Sequence, residues 1–203
     1  SEKDGSKNFL PVNSHALSCA NWIKFYPADF TIPAKGSQKV NFVVEVPKDA
    51  KGGHYAVLFF EIQTGAVWDE ARGSYVNVYN RLGSLFYVEP EGTIIREAKI
   101  DDFSIDELGG VLKVATSFAN TGNVEITTQG TFDIISNEGF VITRGKFEEI
   151  YTLPGDKALI SATSEGAVFS KGTYEVIVKF DLGGTTLVVE WQIVVDESGK
   201  IVE

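Results

Sequence analysis

Tyr174-Glu175-Val176-Ile177-Val178-Lys179-Phe180-Asp181 is followed by Leu182-Gly183-Gly184-Thr185-Thr186 and then by Leu187-Val188-Val189-Glu190-Trp191-Gln192-Ile193-Val194-Val195. In the first run Tyr174, Val176, Val178 and Phe180 alternate with Glu175, Ile177, Lys179 and Asp181. In the second, Leu187, Val189, Trp191, Ile193 and Val195 take every other position. A period of two is the signature of a strand with one face in a core. The Gly-Gly between the runs supplies the backbone freedom of a hairpin connection.

Working outward, the same alternation recurs at Leu112, Val114, Thr116 and Phe118. Turn residues punctuate the segments at Gly109-Gly110, at Asn120-Thr121-Gly122-Asn123, at Asn137-Glu138-Gly139, at Pro154-Gly155-Asp156 and at Lys171-Gly172. These divisions predict strands near 94–105, 111–119, 124–136, 140–151, 158–163, 173–181 and 185–195. Such a series of short strands with regular turns reads as an immunoglobulin-like β-sandwich. No stretch carries a sustained helical stripe, so the expected class is all-β.

The first half carries related signals. Val40, Phe42, Val44 and Val46 alternate with polar neighbours, residues 55–62 are apolar on both faces as in a central strand, and residues 76–88 read as a long strand with a bulge at Gly83. An internal repeat links the halves: Phe30-Thr31-Ile32-Pro33 matches Tyr151-Thr152-Leu153-Pro154, and Lys51-Gly52-Gly53-His54-Tyr55 matches Ser170-Lys171-Gly172-Thr173-Tyr174. The expected architecture is therefore two tandem immunoglobulin-like sandwiches, 1–90 and 91–203, joined near Glu89-Pro90-Glu91-Gly92. Residues 1–14 read as a loop, so the first sandwich is expected to lack about two N-terminal strands. That would leave strand edges open to a partner or to self-association.

The chain of 203 residues carries a formal charge of −10. Nine Lys/Arg oppose ten Asp/Glu in residues 1–92, and nine oppose eighteen in 93–203. An acidic surface without a basic patch argues against nucleic acid as a partner. No run approaches the length of a membrane-spanning helix. The single cysteine, Cys19, rules out an intramolecular disulfide, and with His15 and His54 as the only histidines a zinc site is not expected. There is no methionine, and the chain reads as a processed or excised piece.

Residues 22–88 resemble a bacterial surface and periplasmic immunoglobulin-like superfamily, which includes PapD-like pilus chaperones and the extracellular domains of WxL-interacting, peptidoglycan-associated proteins. The resemblance rests on Trp22-Ile23, Pro27, Phe30, Pro33-Ala34-Lys35-Gly36-Ser37, Val46-Pro47-Lys48-Asp49-Ala50, Gly52-Gly53-His54-Tyr55 and Asn80-Arg81-Leu82-Gly83-Ser84-Leu85-Phe86-Tyr87-Val88. It implies an extracellular, cell-surface or periplasmic protein. No functional residue is carried over from it.

A search for chemistry returns no catalytic, cofactor or metal residue. No G-x-S-x-G, phosphate-binding loop or H-E-x-x-H is present. Asp101-Asp102 and Asp106-Glu107 match no calcium-loop spacing and read as solvated carboxylates. Trp22 and Trp191 read as core. The segment 63–75, which joins two apolar strands, is different: it contains Trp68, Arg72 and Tyr75, residue types that anchor interfaces. These three are the candidate contact surface. The expected function is a non-catalytic extracellular structural or adhesion module for a protein or cell-wall glycan. The alternative is a periplasmic chaperone acting by β-strand addition.

Overall fold

The computed structural model describes residues 9–12 and 14–202, so residues 1–8 and 13 of the expected N-terminal loop lie outside the description. The chain is all-β and divides into two compact units at Thr93/Ile94.

The second unit, from Ile94 on, is a sandwich. One sheet holds β5 (Ala98–Leu108), β6 (Val111–Asn120) and β11 (Lys157–Glu165) in the order β11-β6-β5. The other holds β8 (Gly130–Ser136), β9 (Val141–Lys146), β12 (Gly172–Asp181) and β13 (Thr186–Val195) in the order β13-β12-β8-β9. The three-plus-four division is the immunoglobulin arrangement. The alternating residues that define β6 and β12 all enter the core: Leu112, Val114, Thr116 and Phe118 from one sheet, Tyr174, Val176, Val178 and Phe180 from the other.

Two expected strands are each broken in two. Residues 124–136 separate into β7 (Ile126–Thr128) and β8, and residues 140–151 into β9 and β10 (Ile150–Thr152), with β7 and β10 pairing, among the described residues, with each other alone. Aromatic packing accounts for the break. Phe147 is fully buried and its ring lies 5.5 Å from Phe180 and 6.0 Å from Phe132. The two glycines nearby make room for these rings: a Cβ on Gly130 would sit 2.2 Å from the Phe180 ring, and one on Gly145 would sit 2.1 Å from the Phe132 ring.

Three local devices fix the edges of this core. The register of β5 shifts between Asp101 and Ser104, with Asp102 at φ 54°, and beside this bulge Phe103 stacks on Trp191 at 4.3 Å. The Tyr174 hydroxyl donates to the Ser170 carbonyl (2.8 Å) and accepts from the Ser170 N–H (3.0 Å), in the manner of a tyrosine corner. Asn120, 2% exposed, closes the turn after β6: its Nδ2 donates to the carbonyls of Val124 (2.9 Å) and Thr152 (3.1 Å), and its Oδ1 accepts from the Gly122 N–H (3.0 Å).

The first unit, Phe9–Thr93, is built differently. A 3-10 turn (Ala20–Trp22) leads into β1 (Ile23–Tyr26), which pairs with β2 (Asn41–Val44). A long hairpin of β3 (His54–Asp69) and β4 (Ser74–Val88) forms a second two-stranded sheet. Among the described residues of this unit, Cys19 is the one apolar side chain that is fully buried. Two narrow pairs cannot enclose a core of the kind seen in the second unit.

Several sequence expectations for this unit need correction. Among the described residues β3 pairs with β4 and, on its other edge, makes a single bridge from Tyr55 to Ser18, so it is not a central strand; Phe9 packs on its Phe59 (5.4 Å), and Phe42 packs on Phe86 of β4 (5.0 Å). The bulge lies between Gln63 and Gly65 rather than at Gly83, which pairs in register with Phe59. A Cβ at Gly83 would lie 3.0 Å from Val57 Cγ2 and 3.2 Å from the Phe59 ring, a tight fit that favours glycine there. Of the two repeat matches, only the second falls at equivalent places, the starts of β3 and β12; Phe30-Thr31-Ile32-Pro33 lies outside the strands, whereas Tyr151-Thr152 lies in β10.

Candidate functional site

The strands of the hairpin continue through the segment expected to be a connection, and the turn is confined to residues 70–73. Cross-strand pairs Val67–Val76 and Trp68–Tyr75 carry the ladder to its end. Asp69 then shapes the turn. Its Oδ1 accepts the N–H groups of Ala71 (3.0 Å) and Arg72 (3.2 Å), its carbonyl accepts the Gly73 N–H (2.8 Å), and Gly73 takes φ 60°.

All three residues of the candidate surface converge at this tip. Trp68 and Tyr75 face each other across the strands with ring centroids 5.2 Å apart and planes inclined by 70°, an edge-to-face pair. Trp68 is 50% and Tyr75 72% exposed. Arg72 lies 3.6 Å from the Asp69 carboxylate and is otherwise in solvent. A large apolar surface with polar handles is thus held rigid while remaining open to water, which is how a contact surface is pre-organised.

The pairing register assigns the rest of the ribbon to faces, because directly opposed residues share a side. On the Trp68/Tyr75 face stand Asn77, the Gln63–Tyr79 pair and the Arg81–Glu61 ion pair. Gln63 Nε2 donates to Asn77 Oδ1 at 3.5 Å, and the Arg81 guanidinium lies 5.0 Å from the centre of the Phe59 ring. Tyr79, more than half exposed, extends the aromatic surface. Sequence reading missed it, although Tyr75, Asn77, Tyr79 and Arg81 already show the period of two. The opposite face carries Phe60, Ile62, Val67, Val76, Val78 and Leu82, with Asn80 opposite Ile62 and the Asp69–Ser74 pair at its outer end.

The remaining polar candidates stay apart. His54 packs its ring on Trp22 at 4.4 Å, and neither ring nitrogen finds a hydrogen-bond partner in the structure. Trp22 therefore serves this stack, whereas Trp191 packs against the core of the second unit. His15 Nδ1 accepts the Leu17 N–H in a local turn. Asp101 lies 3.8 Å from Lys157, and Asp106 pairs across the strands with Lys113. Among the described residues no three His, Cys, Asp or Glu side chains gather as metal ligands would, and no helix is long and apolar enough to cross a membrane.

No protein-family model and no curated protein matches the chain. Among solved structures, a β-glucuronidase from glycoside hydrolase family 2 is similar over 58% of this chain and 13% of its own, at 12% identity and a TM-score of 0.37. A likeness at that level carries no argument about activity.

Proposed function

We propose that this chain is a non-catalytic extracellular or cell-surface module that holds a protein or cell-wall glycan partner on the tip of the β3–β4 ribbon. One observation carries the reading: Trp68 and Tyr75 form a fixed aromatic pair at the end of a projecting hairpin and remain half or more exposed. Aromatic rings are costly to leave in water, and with a neighbouring Arg they are the residue types that dominate binding energy at interfaces. Gln63, Asn77 and Arg81 on the same face supply hydrogen-bonding groups beside the rings, a combination suited to a partner with both apolar and polar surface. A second reading, a chaperone or assembly factor acting by strand addition, draws support from β4, whose outer edge pairs with no other strand among the described residues.

The test compares the intact chain with a Trp68→Ala/Tyr75→Ala variant for co-sedimentation with insoluble cell-wall glycan and for cross-linking to extracted surface proteins. A loss of about tenfold or more for the variant, equivalent to about 1.4 kcal/mol, is expected on one of the two. Equal retention of wild type and variant on both would refute the tip as the contact surface. A client peptide that co-purifies with both proteins would move the assignment to the strand-adding alternative.

A further inference from the structure

β13 forms one edge of the second unit's four-stranded sheet. It runs for 10 residues, Thr186–Val195, with no Pro, Gly, Lys or Arg, and pairs with β12 without a register shift. The other edges of the sandwich are blunted. β5 is bulged, β9 is 6 residues long and carries Arg144 and Lys146, and β11 has Lys157 and Glu165 at its ends. A regular apolar edge without such features is a template for another strand.

Hydrogen bonds at both ends of β13 show which groups that edge presents. The Thr185 carbonyl accepts the Leu182 N–H (2.8 Å), so odd-numbered residues bond inward to β12. The Val194 carbonyl accepts the Val202 N–H, and the Asp196 N–H donates to the Lys200 carbonyl, each at 2.9 Å, so even-numbered residues point outward. These bonds, with a bridge from Val195 to Ile201, lay residues 200–202 antiparallel beside the end of β13. By the alternation of an antiparallel ladder, Thr186, Val188, Glu190 and Gln192 also aim their N–H and C=O groups outward. Among the described residues no strand lies beside that stretch.

We propose that a second copy of this chain fills the edge, β13 pairing antiparallel with β13 about a two-fold axis at Val189 and joining the four-stranded sheets of both copies into one. The contact lies on the second unit and is independent of the ribbon tip. Three features select a second copy. The open stretch, Thr186–Gln192, is centred on Val189, so an identical stretch lies along it without meeting residues 200–202. In that register Val188 stands opposite the partner's Glu190 and Thr186 opposite the partner's Gln192; all four point outward, so each pair exchanges both of its hydrogen bonds. Glu190, the only charged residue of β13, then faces Val188, and the two Glu190 carboxylates stand on a diagonal rather than opposite one another. On the inner side Trp191 meets the partner's Leu187, an aromatic–aliphatic pair. The contact is isologous and needs no separately evolved partner. An extended peptide of another protein could use the same backbone groups but owes nothing to the symmetry of the stretch about Val189. One strand edge is narrower than a standard interface, so the association is weak and concentration-dependent.

Sedimentation velocity on the full chain from about 10 μM to about 1 mM, where so narrow a contact assembles, should show the mass rising from 22.2 kDa towards twice that value. Glu190→Pro removes one outward N–H and no bond to β12, a change that an edge strand tolerates. It should hold the chain monomeric, whereas Glu190→Gln should not. Thr186→Lys/Gln192→Glu should associate at least about threefold more tightly than Thr186→Lys/Gln192→Lys, because opposite rather than like charges then meet across the two copies. Within the chain Glu175 faces position 192 and biases folding the other way, so a folding effect cannot imitate that order. Amide exchange gives a second readout: the N–H groups of Val188, Glu190 and Gln192 should gain protection as concentration rises. A monomer at the highest concentration overturns the proposal, as does a dimer that these variants leave unchanged. Protection of the three amides already complete in the monomer would place another strand on the edge and overturn the second copy as its occupant.

Discussion

Asn120→Ala is the substitution that most directly tests how the second unit is held together. The side chain is buried and forms three hydrogen bonds, donating to Val124 and Thr152 and accepting from Gly122. Its own backbone joins the same corner: its N–H donates to the Asp156 carbonyl (3.0 Å) and its carbonyl accepts from Gly155 (3.0 Å). Alanine takes the Asn120 partner from the Val124 and Thr152 carbonyls, whereas the Gly122 N–H keeps its bond to the Glu97 carbonyl (2.9 Å). At about 1 kcal/mol of net contribution per lost bond, with a further penalty where the orphaned carbonyl stays dry, the loss should be about 2–3 kcal/mol. That is a large fraction of the roughly 5–15 kcal/mol that stabilises a typical domain. Urea unfolding followed through Trp191, in a Trp22→Phe/Trp68→Phe background, isolates this unit and should show a lower midpoint with an unchanged slope. Asn120→Asp supplies a control of the same size. Its carboxylate would face two carbonyl oxygens, so its pKa in the folded state should lie above the unfolded value. Its destabilisation should then be relieved below the unfolded pKa and grow as pH rises through the folded one. A loss below about 1 kcal/mol for the alanine variant, the worth of a single ordinary hydrogen bond, would refute the assignment of the turn to this network.

Two further outcomes follow from packing. Gly145→Ala should destabilise the second unit by at least about 1–3 kcal/mol, because its Cβ would lie 2.1 Å from a Phe132 ring that is itself buried; a midpoint within error of wild type in the same urea titration would contradict this. Cys19 is inaccessible to solvent, and burial pushes its thiol above the ordinary range, partly opposed by a backbone hydrogen bond. Its alkylation by iodoacetamide at pH 8 should therefore be slow in the native protein and fast in urea, and equal rates would show that the pocket around it opens freely.

The sequence spoke most clearly where one face of a strand meets a closed core. The buried sides of β6 and β12 were legible residue by residue, and the turn at residues 120–123 was visible from its Asn and Gly. The division of residues 124–136 and 140–151 was not, because it depends on Phe147 reaching Phe132 and Phe180, contacts far apart in the chain. In the hairpin, Trp68, Arg72 and Tyr75 could be picked out by residue type. Their convergence could not, since it depends on pairing register, and register depends on an extra residue at Thr64 that no propensity marks. Gly83 carries the residue type of an irregular position, but it pairs in register with Phe59, and Val57 and Phe59 crowd its side-chain-free face.

That extra residue between Gln63 and Gly65 lets β3 change phase without changing faces. Gln63 and Trp68 are an odd number of positions apart, which a regular strand would place on opposite sides, yet both stand on the face of Tyr75 and Tyr79 because Thr64 is left out of the ladder. Removing Thr64 would therefore leave every pair from Gly65–Val78 to Asp69–Ser74 in register and on its present face, whereas a single insertion elsewhere in β3 would exchange the two sides unless another bulge or the turn took it up. Across natural variants of this chain, length changes in the ribbon should therefore collect at Thr64 and at residues 70–73, or occur in even steps. The bulge is the place where the ribbon can gain or lose one residue and keep the chemistry of each side.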